Sequence, residues 1–181
     1  MKEQLVNLYF EIKRHYFQWR YPTISIAPGV KIAGKFRVEG GTRLIIGSGC
    51  RLRKRVVFCG SGEMIIGNNT LLNGPWIGCY SRITIGDDCL ISDCYIVDTD
   101  YHNLEPELRH QPPGPKVTAP IAIGRNVWIG ARATVMKGVE IGSDSVIGLG
   151  SVVRKSVPPG VVVIGNPQQI VKTLNVPSQV S

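Results

Sequence analysis

At 181 residues the chain is long enough for one domain with a sizeable core. Its formal net charge of +8 asks for an acidic partner: nucleic acid, an anionic membrane or a phosphorylated small molecule. Nucleic acid is not expected, because the one basic run, Arg51 to Arg55, lacks interleaved aromatics and alternates like a solvent-facing side; no apolar run approaches the ~20 residues of a membrane span.

Residues 1–22 form the first unit. The N-terminus is charged and has no apolar signal region, so no signal peptide is expected. From Gln4 to Trp19 the spacing predicts a helix, with Leu5, Leu8, Ile12, Tyr16 and Trp19 on one stripe. That stripe is expected to cover an open end of the domain, where unpaired strand edges need protection. A basic amphipathic helix lying on a membrane surface is the alternative.

Residues 23–164 carry a repeat. Ile123, Ile129, Val135, Ile141, Ile147 and Val153 fall on every sixth position. A period of six fits neither a helix nor an exposed strand; it is that of a chain coiled into stacked three-sided turns. Ile26, Ile46, Ile66, Ile85, Ile123 and Ile141, each followed by a small residue, recur at spacings of 20, 20, 19, 38 and 18. Eighteen is three hexads, one triangular coil. Nineteen and twenty are coils bulged at a corner, and thirty-eight is a coil with an insertion. About seven coils result, and each is stable only against its neighbours. There are five cysteines and no CxxC pair, so no zinc or redox motif is indicated. Cys50 and Cys89 take the repeat position held elsewhere by Val30, Thr70, Val127 and Ser145, as small buried thiols of a cytoplasmic protein would.

The insertion runs from about 98 to 120. Its five prolines and mixed charge exclude a helix or another coil, and a loop this long in a regular solenoid is read as functional. It contains two of the three histidines, His102 and His110; His15 lies in the N-terminal helix. His102 follows Asp98 and Asp100, two carboxylates able to orient it, and histidine is the side chain best able to act as a base near neutral pH. A zinc site would need all three histidines, so no metal is expected. No nucleophile elbow, P-loop or dinucleotide fingerprint is present. At residues 165–181, Gly165-Asn166-Pro167 predicts a turn, Gln168 to Leu174 a short helix, and the last residues a frayed tail.

The run Trp128-Ile129-Gly130-Ala131, Val135 to Gly142, Val146 to Val153, Val157-Pro158-Pro159-Gly160 and Gly165-Asn166-Pro167 resembles the hexapeptide-repeat acyltransferases. Within them it is most similar to the sugar and polysaccharide O-acetyltransferases, which include the maltose, galactoside, nodulation-factor and colanic-acid enzymes. Asp98-Thr99-Asp100-Tyr101-His102 matches their catalytic segment, and the resemblance covers roughly residues 62–174. It implies a left-handed parallel β-helix assembled as a homotrimer, with acetyl-CoA lying in a groove between subunits. His102 is implied as general base, taking the proton of a sugar hydroxyl that attacks the thioester directly. Asp100 is the implied orienting group and the Ala131 N–H the implied oxyanion donor. The implied cofactor contacts are Gly130, Ala131, Gly148, Leu149, Arg154, Gln169 and Lys172; Asn73 and Trp128 are the implied acceptor contacts. Gln169 departs from the more basic residue of the family. The chain also lacks the N-terminal segment of maltose and galactoside acetyltransferases and the helical domain of serine acetyltransferases. The implied acceptor is therefore a surface-polysaccharide precursor, a lipid-linked glycan or a nucleotide sugar, and the implied setting is the cytoplasm or the inner membrane surface. An N-acyltransferase acting on an amino sugar and a non-catalytic solenoid scaffold are the competing readings.

Overall fold

The computed structural model describes residues 2–114 and 117–175, and shows a three-sided parallel β-solenoid of about seven turns behind one helix, α1 (Lys2–Arg20). Each turn sends one short strand into each of three sheets, here faces A, B and C. Faces A and C have six strands and face B has eight. Inward residues stack in register. Ile26, Ile46, Ile66, Ile85, Ile123 and Ile141 form one buried file on face A. Ile32, Leu52, Leu72, Ile91, Ile129, Ile147 and Val163 form another on face B. Aliphatic, mostly β-branched residues suit this because each fills a flat pleated side and touches its equivalent one strand spacing away.

The corner position holding Val30, Cys50, Thr70, Cys89, Val127 and Ser145 is wholly buried in every turn. Burial pushes the thiols up, Cys50 and Cys59 to about 11 and Cys79 and Cys94 to about 12. One residue earlier at the same corner, Asn69, Asp88, Asn126 and Asp144 all take the left-handed backbone conformation. Asn and Asp tolerate it better than other non-glycine residues, which is why they punctuate the repeat.

Two expectations need correction. The N-terminal helix does close the first turn, but not with the predicted stripe. Its polar side faces the strand edge: Lys13 Nζ donates to Ile32 O (2.7 Å), Arg14 Nη1 donates to Ile26 O (3.2 Å), Gln18 Oε1 accepts from Ile26 N (3.0 Å) and Glu11 Oε1 accepts from Gly29 N (3.0 Å). Phe17 adds an edge-to-face contact with Phe36 (centroids 4.8 Å). The open edge of a solenoid is a row of unpaired backbone donors and acceptors, so polar side chains cover it better than leucines do. Leu5, Leu8, Ile12, Tyr16 and Trp19 are left more than half exposed.

The predicted C-terminal helix is instead a strand. After the turn at Gly165–Pro167, Gln169–Thr173 runs back antiparallel to Val161–Ile164 and forms the last strand of face B. The edge of Val161–Ile164 offers ladder hydrogen bonds that a helix there would leave unused. The frayed tail expected beyond 175 lies outside the described residues. The inserted loop begins after Tyr95–Val97 and ends before Ile121–Ile123, as the spacing predicts, and contains a 3-10 turn at Pro106–Leu108.

Candidate active site

The candidate residues fall at two corners of the prism. At the corner between faces B and C, Trp128, Gly130, Ala131, Gly148 and Leu149 line one groove of about 440 Å³ together with Ser92. Its floor follows from the register. The residues after the inward file of face B are Asn73, Ser92, Gly130 and Gly148, one per turn, so Asn73 stands in the same column two turns from Gly130. Two adjacent glycines in that column leave the floor without side chains. A Cβ on Gly130 would meet Leu149 N at 2.7 Å, and one on Gly148 would meet the Ile164 Cγ2 methyl at 2.7 Å. At Gly130 the clash is with backbone, which cannot give way; at Gly148 it is with a half-exposed side chain.

Face B carries a second column beside this groove. Trp128 pairs with Val146, Val146 with Val162, and Val162 with Lys172. Three strand spacings separate the indole from the ammonium-bearing residue, about 14 Å along the face. Lys172, on the C-terminal strand, therefore stands on the same outward face as the apolar groove, three strands beyond Trp128. Gln169 sits exposed at the start of the same strand. Arg154 does not join them. It follows the face C strand Val152–Val153, and its backbone N–H donates to Gln168 Oε1 (2.6 Å).

His102 is held at a different corner, between faces C and A. The root of its loop is a short antiparallel ribbon: Thr99 bridges Thr118, Asp100 N donates to Val117 O (3.0 Å), and Ala119 N donates to Asp98 O (3.0 Å). The Asp98 carboxylate is fully buried and accepts from Tyr80 N (2.7 Å) and Ser81 N (2.8 Å), pinning the loop to the turn below. Asp100 forms an ion pair with Lys137, whose Nζ also donates to Val117 O (3.2 Å). Both carboxylates are thus committed to other partners, and the exposed His102 ring is hydrogen-bonded to neither. Just before it, Tyr101 adopts a left-handed φ of 65° and packs edge-on against Tyr80 (centroids 5.4 Å). Burial pushes the Tyr101 phenol well above its ordinary value. Just after it, Asn103 organises the loop, donating to Leu108 O (2.8 Å) and accepting from Gly114 N (3.1 Å).

Sequence reasoning missed Lys137 and Asn103. Nothing in the local pattern marks Lys137, whose carboxylate partner is far away in the chain. Asn103 carried a weak signal, as an amide in a proline-rich loop with many backbone groups to satisfy.

Residues 120–155 match the family described as bacterial transferase hexapeptide (six repeats). The galactoside O-acetyltransferase of Escherichia coli (strain K12) is 42% identical over 93 residues, which are 51% of this chain and 45% of that protein. The chain thus spans about half the length of such curated relatives, with 44% coverage for the Lactococcus lactis galactoside O-acetyltransferase. A solved galactoside acetyltransferase in complex with coenzyme A superposes with a TM-score of 0.61 at 31% identity, covering 78% of this chain and 66% of that one.

Proposed function

We propose that this chain, a hexapeptide-repeat protein by its repeat, its fold and its family match, is an acetyl-CoA-dependent O-acetyltransferase acting on a sugar hydroxyl. The observation that carries the reading is the groove at the B–C corner: mostly apolar, floored by Gly130 and Gly148, with Lys172 on the same face of the solenoid three strands beyond Trp128. Those residues suit a long thin arm with phosphates at one end. Apolar walls take the arm, and a lysine placed on a rigid strand meets anionic oxygens. Galactoside O-acetyltransferases among the relatives support the reaction class, and a galactoside acetyltransferase solved with coenzyme A supports the donor.

In the proposed reaction the neutral His102 ring removes the proton of an acceptor hydroxyl as its oxygen attacks the thioester carbonyl. The C–S bond breaks on collapse of the tetrahedral adduct, the CoA thiolate takes up the proton from His102, and the acetyl ester remains on the sugar. The Ala131 N–H is the proposed donor to the oxyanion. No covalent enzyme intermediate is needed, since the thioester is already activated. The acceptor class proposed is a glycan precursor, lipid-linked or nucleotide-linked, met in the cytoplasm.

One further element follows from position. The groove and His102 lie at opposite edges of face C, and among the described residues no loop residue lines the groove. A single chain therefore supplies half a site. Packing three prisms about a threefold axis would set the B–C corner of one against the C–A corner of the next, so we read the active form as a homotrimer with three composite sites. The test is His102→Ala assayed with acetyl-CoA and a panel of glycan and nucleotide-sugar acceptors, reading thiol release. A loss of roughly 10²–10⁴ in turnover with an unchanged melting curve is expected. Unchanged turnover would refute the mechanism.

A further inference from the structure

We infer that the outward face of α1 seats on an anionic membrane surface. This inference stands apart from the proposed acetyl transfer. The helix has two working faces. One is used up in closing the first turn of the solenoid, through Lys13, Arg14 and Phe17. The other carries Leu5, Leu8, Ile12, Tyr16 and Trp19, all more than half exposed, with Trp19 at 78%. Tyr9 widens it. A stripe of that size running the length of a helix marks an interaction surface.

Charge decides the occupant. Lys2 and Arg20 stand exposed at the two ends of one edge of the stripe. The Glu11 carboxylate is taken by Arg14 (2.8 Å) and Gly29 N–H, which holds it below the usual carboxylate range. Lys31 and Lys35, on the first solenoid turn beside the helix, are also exposed. A second copy docked antiparallel, stripe to stripe, would bring Lys2 against Arg20 with no carboxylate on that edge to pair them. An anionic bilayer supplies the missing negative charge, and its interface favours tryptophan and tyrosine rings such as Trp19, Tyr16 and Tyr9. Among the described residues no helix is long and apolar enough to cross a membrane, so the proposed contact is in-plane.

The experiment is co-sedimentation of the full chain with vesicles of phosphatidylcholine alone, or with one third phosphatidylglycerol, at low and high salt. Binding is expected only with phosphatidylglycerol and should weaken with salt. Ile12→Gln combined with Trp19→Gln should abolish it without moving the melting curve. Lys2→Gln and Arg20→Gln should weaken it by roughly fivefold each. Equal binding to both vesicle types, no binding to either, or a stripe variant that binds like wild type overturns the inference. So does a stripe variant that sediments as a smaller species than wild type, which would make the face a contact between copies.

Discussion

Replacing Asp98 tests whether the loop bearing His102 is built onto the solenoid or merely hangs from it. Its carboxylate is fully buried and accepts two backbone N–H groups, from Tyr80 at 2.7 Å and Ser81 at 2.8 Å. Hydrogen bonds to a charged acceptor contribute roughly 1.5–3 kcal/mol each, and a donor left unsatisfied keeps its desolvation cost. Asp98→Ala removes both acceptors, so a loss of about 3–5 kcal/mol is expected. Asp98→Asn keeps one acceptor but turns an NH2 towards the second donor, and about 2–3 kcal/mol should go. For a chain of this length each kcal/mol lowers the midpoint by about 2–4 °C, which makes the alanine variant melt roughly 10 °C early. Calorimetry checks the size, and amide exchange checks the place: Tyr80 and Ser81 should lose protection before any residue of the inward file. An alanine variant within about 1 kcal/mol of wild type would refute the reasoning, because a surface contact would give that result.

Two more predictions concern the groove and the thiols. Gly130→Ala and Gly148→Ala add the same methyl but should differ. The first drives it to 2.7 Å from a backbone nitrogen and should cost about 1–3 kcal/mol of stability. The second meets the Cγ2 methyl of the half-exposed Ile164, a side chain that can rotate away, so urea midpoints should separate the two variants. For the cysteines, pKa values held near 11 to 12 in the fold and near 9 in the unfolded chain mean that the unfolded chain releases protons first as pH rises. Their contribution to stability is complete below about pH 9 and is lost between about 9 and 12. Denaturation midpoints measured from pH 7 to 11 should fall over that upper range, and a Cys94→Ala/Cys79→Ala chain should fall less.

The repeat was legible because inward positions leave little choice. A file such as Ile129, Ile147 and Val163 must be aliphatic at one-turn spacing, and that shows in the letters. The loop was legible as a break in the same spacing, and the groove residues because the glycine column shares the repeat. What failed depended on which edge each terminal segment would meet. The stripe of α1 is periodic whichever way the helix turns, and only the exposed backbone of the first turn decides that its polar side goes inward. The segment Gln169–Thr173 has no strong period of its own; the free edge of Val161–Ile164 makes it a strand. The approach of Lys137 to Asp100 depends on tertiary structure alone. Ladder pairing puts Asn73 in the column of Ser92 and Gly130, a placement that corner bulges hide from the spacing of the letters.

The separation of groove and base gives the proposed trimer a test that does not depend on knowing the acceptor's natural identity. One variant, His102→Ala, keeps its groove and loses its base. Another, Gly148→Trp, keeps its base and fills its groove, since Gly148 lies in the groove lining beside Leu149 and Trp128. Each alone should be inactive. Unfolded together in equal amounts and refolded, they should form mixed trimers. A site works only where the groove comes from the first variant and the loop from its neighbour of the second kind. Random assembly makes that true of about one site in four. Activity should therefore return to about a quarter of wild type after co-refolding, and stay absent when the two are refolded apart and then mixed. If each chain carried its whole site, every chain in the mixture would be defective, and co-refolding would restore nothing.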